Sequence, residues 1–517
     1  KVILDFFPYP SGAVLHIGHV LGYFATDIYA RFQKLQGKNV LYSIAFDSFG
    51  LPAEQFAIEN NQHPEIITNQ NIENIKKQLK FLNLNYDWER SFSTTDTDYY
   101  KWTQWIFIKL YNSYYDEQEQ KAKPIEFLEK KLEAQGWSNK EIYFELKKHR
   151  LAYLDDIMVN WCPALGTVLA DEEIIKGLSE RGGHEVIKKP LRQWVLRITK
   201  YANRLENNLS KLDWPESIKE MQINWIGKSV GHEVKFQIEN FDFEIKVFTT
   251  RLETLSGVTF LAVSKEHPLI EKIVVSDEAK KLLEEQVEEI NVFSGSYAIN
   301  IFGEKIPVYI ADYALPYASY ALMGVPAHDE RDYQFAVNNN IEIKPVIIPD
   351  ADYLKINNVS IDEYKKHIQE LPCYSGSNVL FNNHEVKQEK EFLQKKYSNH
   401  IQKKEYTKLR DWIFSRQRYW GEPFPVVLDD ENNPYMIEDL PIKLPDMEFS
   451  KLSSLNAQRP LDLLTDWNNI KFIKLNNHFA KIIDTDKKWF EFEGKTYKVN
   501  DGTRETNTMP NWAGSCW

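Results

Sequence analysis

The residues with the clearest chemical potential lie near the start of the chain. His16-Ile17-Gly18-His19 follows a loop, Pro8-Tyr9-Pro10-Ser11-Gly12, that two prolines and a glycine keep rigid and non-helical. Beyond the loop, Ile17, Val20, Leu21, Phe24, Ile28 and Phe32 recur at three- and four-residue spacing. That pattern predicts an amphipathic helix ending near Gly37. His16 and His19 are three apart and share one face of it. A helix N-terminus presents unpaired backbone N–H groups and a partial positive charge, which suits an anion. Two imidazoles there can donate hydrogen bonds to phosphate oxygens, and Gly18 leaves room for a flat base or sugar. With 12 histidines and 21 glycines in 517 residues, chance would produce His-x-Gly-His about 0.01 times. A metal site is the competing reading. Ligand pairs on helices usually come with further Cys, His or Glu nearby, and none is evident.

The positioning elements follow from pattern. Lys1 to Phe7 reads as a strand, and Asn39 to Ile44 as the next one. Strand, loop, helix, strand is a βαβ unit and predicts a parallel sheet. Residues 70–115 read as helical. Residues 116–150 are charged and helix-prone and predict a surface helical pair, for which the sequence suggests no function. Residues 157–194 read as short β pieces and turns. From about 228 the period changes to two: Val234 to Ile238 and Phe243 to Phe248 predict a hairpin turning at Asn240. Ile306 to Ile310 and Lys344 to Ile348 add strands. A separate mixed α/β domain is therefore placed at 228–405, between a first domain at 1–227 and a return at 406–517. The lysine-rich stretch 384–410 is either a solvated helix face or a phosphate-contacting one.

Composition bounds the function. The 60.9 kDa chain suggests about three domains. A net charge of −12, 43% apolar and 27% charged residues exclude a disordered chain, a collagen-like repeat and a disulfide scaffold. Net acidity argues against a general nucleic-acid coat but leaves a local basic face open. No run approaches the roughly 20 apolar residues of a membrane helix, so no membrane partner is expected. Three cysteines, Cys162, Cys373 and Cys516, without paired spacing indicate a reducing, cytoplasmic setting. The chain starts on Lys1 and stops on Trp517, and both ends look cut, as for part of a longer protein.

Four stretches carry a family resemblance. The loop 8–12 with His16-Ile17-Gly18-His19 resembles the signature of class I aminoacyl-tRNA synthetases, in its leucyl-tRNA synthetase form. Phe46-Asp47-Ser48-Phe49-Gly50-Leu51-Pro52-Ala53-Glu54, Leu409 to Gly421, and Arg504 to Met509 with Trp512-Ala513-Gly514-Ser515 resemble further segments of that family, in order. The resemblance implies a Rossmann-like, doubly wound parallel α/β sheet interrupted by an inserted mixed α/β editing domain. It implies leucine, ATP with Mg2+, and tRNA(Leu) as substrates, and a monomer is expected. His16, Gly18 and His19 would serve the adenylate-forming step. Asp47 would hold the substrate's α-ammonium group, and Phe6, Phe7 and Tyr9 would wall the leucine pocket.

A second cluster, Thr249-Thr250-Arg251-Leu252-Glu253-Thr254 with Pro326 to Asp332, resembles the family's editing domain. One methylene is worth only about 1–3 kcal/mol in an apolar pocket, so a second, hydrolytic site is needed for selectivity. By resemblance, Asp332 would hold the amino group of the wrong amino acid, with Asp329 beside it. Thr254 would exclude leucine, Thr249 and Thr250 would line the hydrolytic site, and Arg251 would meet the tRNA end. Leu252 and Glu253 stand where the family usually has Pro and Asp. Ala318-Ser319-Tyr320 stands where it has a Gly-Thr-Gly-like stretch. Reduced proofreading is the expectation.

Cys162-Pro163 begins what is often a zinc module, but Arg181-Gly182-Gly183-His184 offers no second cysteine, so no zinc is expected. The family's lysine-bearing second loop over the ATP phosphates is not found up to 517. The chain alone is therefore not expected to aminoacylate. Gly494-Lys495-Thr496 resembles the end of a P-loop, but Trp489 occupies its first glycine position, and a hairpin turn is expected. The alternatives are another aliphatic class I synthetase, a non-catalytic tRNA-binding paralogue that kept the fold, or a stand-alone deacylase.

Overall fold

Parallel pairing at the front of the chain follows from the crossover helix that joins its strands. The computed structural model describes residues 1–12, 14–285, 290–314, 320–376, 379–448 and 459–517. Strand β1 (Val2–Ile3) leads through the Pro8–Gly12 loop into helix α1 (Ile17–Leu35) and back to β2 (Leu41–Tyr42), which pairs with β1 in parallel. β3 (Ala45–Phe46) pairs in parallel with β4 (Phe92–Ser93) across helices α2 (Leu51–Glu59) and α3 (Pro64–Phe81). Gly37, at φ 74°, follows the end of α1 where the sequence places it. Two compact units result. One comprises Lys1–Lys200 and Asp411–Trp517, the other Tyr201–Arg410.

Helix α1 is turned opposite to what its periodicity implies. The apolar residues face outward, with Ile17 81% and Leu21 77% exposed and Phe24, Ile28 and Phe32 also exposed. The buried face is Tyr23, Asp27, Ala30 and Gln33. Polar pins hold it there. Asp27 Oδ1 accepts the Asn85 N–H at 2.7 Å, its Oδ2 meets Arg31 Nε at 2.6 Å, and Arg31 donates to the Asn83 carbonyl at 2.7 Å. Asp5 adds a second hub by accepting the hydroxyls of Tyr42 (3.0 Å) and Tyr86 (2.7 Å).

The predicted helical pair forms as Ile125–Ala134 and Asn139–His149, preceded by an unpredicted hairpin, Ser113–Asp116 with Lys121–Pro124. It has a structural task. Glu129 accepts from His478 Nε2 at 2.8 Å, and His478 Nδ1 accepts from Arg150 at 2.9 Å. Arg150 also donates to the Tyr111 carbonyl at 2.6 Å, so the segment is clamped onto the rest of its unit. Where short β pieces were expected, two long antiparallel strands run, Ala152–Cys162 and Ile187–Leu196, paired along ten positions. Gly494 sits in a tight hairpin turn between Trp489–Phe492 and Lys495–Arg504, with Glu493 and Gly494 both at positive φ.

Trp194 centres this unit's core. It is fully buried, meets Phe107 edge to face at 5.0 Å, and donates Nε1–H to Glu505 Oε2 at 2.9 Å. Trp194→Ala would leave a cavity and take the donor from Glu505 Oε2, while Oε1 keeps its two bonds from Asn507. It is expected to cost about 3–5 kcal/mol, read as a lowered urea midpoint.

The second unit is built on a seven-stranded sheet with one parallel pair, Phe260–Val263 with Lys305–Ala311. The predicted hairpin is Ser229–Ile238 with Glu244–Thr249, turning at Asn240 (φ 65°). Lys344 to Ile348, expected as a strand, makes only an isolated bridge between Ile347 and Leu380. Pro345 has no N–H to give a ladder. The N–H groups of Val346 and Ile347 go instead to His328 Nε2, at 2.9 and 3.1 Å. Among the described residues no helix is long and apolar enough to cross a membrane.

Candidate active site

The start of α1 is capped by its own histidines. His16 is the N-cap, and its Nδ1 accepts the Gly18 N–H at 3.0 Å. His19 Nδ1 accepts the His16 N–H at 3.3 Å. This reciprocal box satisfies two of the orphan donors of the first turn. It also sets the chemistry. With Nδ1 occupied as an acceptor, each neutral ring carries its proton on Nε2. His19 lies parallel to Tyr23 at 5.9 Å and close to parallel with Phe6 at 6.1 Å. Burial, and then the neighbouring His16, lower the pKa of His19, so it is a neutral donor at physiological pH. The helix therefore presents imidazole N–H donors at the end where its dipole favours an anion.

Asp47 follows β3 and is buried at 3% exposure. The Ser515 and Tyr9 hydroxyls hydrogen-bond to it, and Oδ1 is buried without a partner. Burial pushes its pKa up to about 6, against the lowering effect of those two hydroxyls. Tyr9 is raised by burial and by the Asp47 charge, and Trp512 also hydrogen-bonds it. Phe7 is half-buried, edge-on to Phe92 at 6.3 Å, whereas Phe6 is exposed at the His19 ring. A cleft of about 330 Å³ opens here, lined by Tyr9, Ser11, Arg416, Arg418, Trp420 and Trp512 among others.

Two sequence segments singled out above bind each other in this unit. Glu54 accepts from Arg418 at 2.9 Å and from the Trp420 N–H at 2.7 Å, and Trp420 Nε1 donates to the Ser48 carbonyl at 2.8 Å. Gly50 adopts φ 107°, and a Cβ on it would stand 2.5 Å from Asn511. Ser515 and Trp512 belong to the 512–515 stretch of the family resemblance, which gave neither residue a role. Their partners Asp47 and Tyr9 lie at the other end of the chain. Cys162 is buried against Leu165 and Leu169. Among the described residues no three His, Cys, Asp or Glu side chains gather as metal ligands.

In the second unit the Thr249–Thr254 segment and the 326–332 segment converge. Thr249 Oγ1 accepts the Arg251 N–H at 3.0 Å, Thr250 is exposed, and the buried Thr254 donates to the Arg251 carbonyl at 2.8 Å. Arg251 is occupied by Glu253 at 3.0 Å and by the Ser375 and Gly376 carbonyls, both at 3.3 Å. Lys390, from the lysine-rich helix, reaches the Thr250 carbonyl and the Glu253 carboxylate, each at 3.2 Å. Asp329 caps helix Glu330–Asn338 through the Arg331 and Asp332 N–H groups. Asp332 accepts from the Val325 N–H at 2.8 Å and the Tyr313 hydroxyl at 3.1 Å. Burial pushes the Asp332 carboxyl up to about 7. His328, lowered by burial to about 4, is a neutral strut donating Nδ1–H to the Tyr374 carbonyl. Tyr320 sits at φ 56°, a left-handed conformation that costs a non-glycine residue roughly 1–2 kcal/mol. Ala318 and Ser319 lie outside the described residues.

Comparison with known proteins places these features. Residues 223–398 match the sequence model of the leucyl-tRNA synthetase editing domain. Residues 2–249 match that of class I tRNA synthetases (M), and 376–509 that of class I tRNA synthetases (I, L, M and V). The whole chain aligns at 43% identity with the leucine–tRNA ligase of Borrelia hermsii and at 44% with that of Mycoplasmopsis pulmonis, over 56% and 57% of their lengths. It thus spans little more than half the length of these relatives. It also superposes, at TM-score 0.71 and 30% identity, on a crystal structure from Agrobacterium radiobacter K84. That structure is the ternary complex of agnB2 LeuRS with tRNA and LeuAMS, and the match covers all of this chain and 55% of that one.

Proposed function

Because this chain belongs to the leucyl-tRNA synthetase family of class I synthetases, we propose that the protein activates leucine with ATP and transfers it to tRNA(Leu). The observation that carries this is the double-histidine cap, whose His19 ring stacks on Phe6 next to Tyr9, with Tyr9 bonded to the buried Asp47. Asp47 holds the α-ammonium group of leucine and so orients its carboxylate. The carboxylate attacks the α-phosphate of ATP, a P–O bond forms, and pyrophosphate leaves. The Nε2–H groups of His16 and His19 stabilise charge developing on the phosphate oxygens, a preorganised electrostatic role. Mg2+ accompanies ATP as part of the substrate. Phe7 and Tyr9 bound the leucine side chain. The test is leucine-dependent ATP–pyrophosphate exchange by the full-length protein, with isoleucine, valine and methionine in parallel. Exchange with leucine is expected; no exchange with any of the four overturns the reading in favour of a non-catalytic tRNA-binding paralogue.

The second unit hydrolyses mischarged tRNA, with Asp332 holding the ammonium group of the wrong amino acid. Two features support a weakened activity: Tyr320 in a glycine-like conformation, and Arg251 neutralised by Glu253. Deacylation of mischarged tRNA is expected to be slow and to speed up in Tyr320→Gly. Rapid turnover by the wild type would contradict this. Asp332 binds a cation only as a carboxylate, and its raised pKa means that form predominates above about pH 7. The kcat/KM for deacylation should therefore rise with pH through about 7. A flat profile from pH 6 to 8 would exclude Asp332 from that role.

A further inference from the structure

Glu422 takes no part in the chemistry above, yet it lies beside the amino-acid pocket. Its side chain is enclosed at 2% exposure. Oε1 accepts from Thr103 Oγ1 at 3.3 Å, and Thr103 in turn accepts from Trp517 Nε1 at 3.0 Å. Oε2 is buried and has no hydrogen-bond partner. Asp47 shows the same defect at Oδ1. The two acids flank one short turn. The Ser515 hydroxyl bonds Asp47, and a Cβ on the preceding Gly514 would lie 2.3 Å from Glu422 Oε1. The Tyr99 hydroxyl holds the Gly514 carbonyl at 2.7 Å.

A buried carboxylate oxygen without a donor is costly unless the group is neutral or a ligand supplies the donor. Two such carboxyls on either side of one turn suit a ligand that brings positive charge, and an α-ammonium group brings it together with N–H groups for the nearer one, Asp47. The titratable groups that face Glu422 are Asp47, Tyr99, Tyr100 and Cys516, all acids. Among the described residues Glu422 forms no ion pair with a basic side chain.

We propose that Asp47 and Glu422 form a two-acid seat for the substrate's ammonium group, Asp47 in contact and Glu422 behind the Gly514–Ser515 turn, and that filling the seat expels the Glu422 proton. This rests on the leucine-activation reading. In the empty pocket, burial and then the Asp47 charge raise the Glu422 pKa well above the usual carboxyl value and so favour its protonated form. When the cation arrives, the Glu422 O–H bond breaks, its electron pair stays on the carboxylate, and the proton passes to buffer. Glu422 is thus a positioning residue that adds charge without touching the reacting atoms.

The test is calorimetric titration of the full-length protein with leucine at pH 8, in buffers of different ionisation enthalpy. At that pH Asp47, with its pKa near 6, has almost no proton left to release. The wild type is expected to release protons on binding leucine, seen as a binding enthalpy that varies with the buffer's ionisation enthalpy. Glu422→Gln is expected to bind leucine with release falling close to zero. No release by the wild type, or equal release by wild type and E422Q, overturns the proposal. Should E422Q fail to fold, the wild-type release decides by itself. An absence of leucine binding by the folded wild type is a different outcome, and it overturns the leucine-activation reading instead.

Discussion

Replacing His19 by alanine is expected to lower kcat for leucine-dependent ATP–pyrophosphate exchange about 10²–10³-fold, the usual cost of deleting one preorganised donor. The loss should fall equally on kcat and kcat/KM, because the donor acts on charge that appears only in the transition state. A rise in KM for ATP with kcat preserved would contradict the assignment. His16→Ala carries an additional penalty. His16 accepts the Gly18 N–H, so its loss also uncaps α1, at about 1 kcal/mol. A thermal melt reads the cap apart from the rate: both variants lose a bond of the reciprocal box, His16→Ala the one from the Gly18 N–H and His19→Ala the longer one from the His16 N–H, so both are expected to melt lower, His16→Ala more.

Asp47→Ala should raise the dissociation constant for leucine about 10²-fold or more. That corresponds to the 2–5 kcal/mol typical of truncating one side of a buried charge pair. Calorimetry or the leucine dependence of exchange measures it. The wild type should show a related pH effect. The folded pKa of Asp47 is raised to about 6, so the carboxylate predominates above pH 6. As pH drops through that point leucine affinity should fall by up to a further tenfold per unit, on top of the shallower slope that the Glu422 proton leaves at higher pH. Affinity constant from pH 5 to 7 would remove Asp47 from the ammonium site.

Some of this was legible in the sequence because it is local. The His16–His19 spacing and the rigid loop before it lie within twelve residues, and the helix and its anion-binding end follow from them. Asp47 was legible through the motif around it, although its partners were not. Ser515 and Trp512 lie in a stretch that the resemblance marked, but no spacing rule ties them to Asp47 and Tyr9, and none points to Glu422. Periodicity marked the apolar stripe of α1 but carried no sign for the direction it faces. That was decided by Asp27, Arg31 and the loop at residues 83–85. Lys344 to Ile348 had the residue types of a strand, and Pro345 together with the His328 ring diverted its hydrogen bonds. In the second unit the threonines were legible as a cluster. The closing of Arg251 by Glu253 and Lys390 required knowing where helix Val386–Lys396 lies.

The outward apolar face of α1 changes how that helix is aligned. A helix held by greasy contacts can roll, since one apolar side chain replaces another at little cost. Directional bonds do not permit this. His19, Tyr23 and Asp27 lie four residues apart on one stripe, with Arg31 continuing it, and the stripe is bolted at its lower end to the backbone at residues 83 and 85. A roll of one residue, 100°, would break each bolt and swing both imidazoles away from the loop. The polar underside therefore works as an indexing device, fixing the azimuth of the two histidine rings from two turns away.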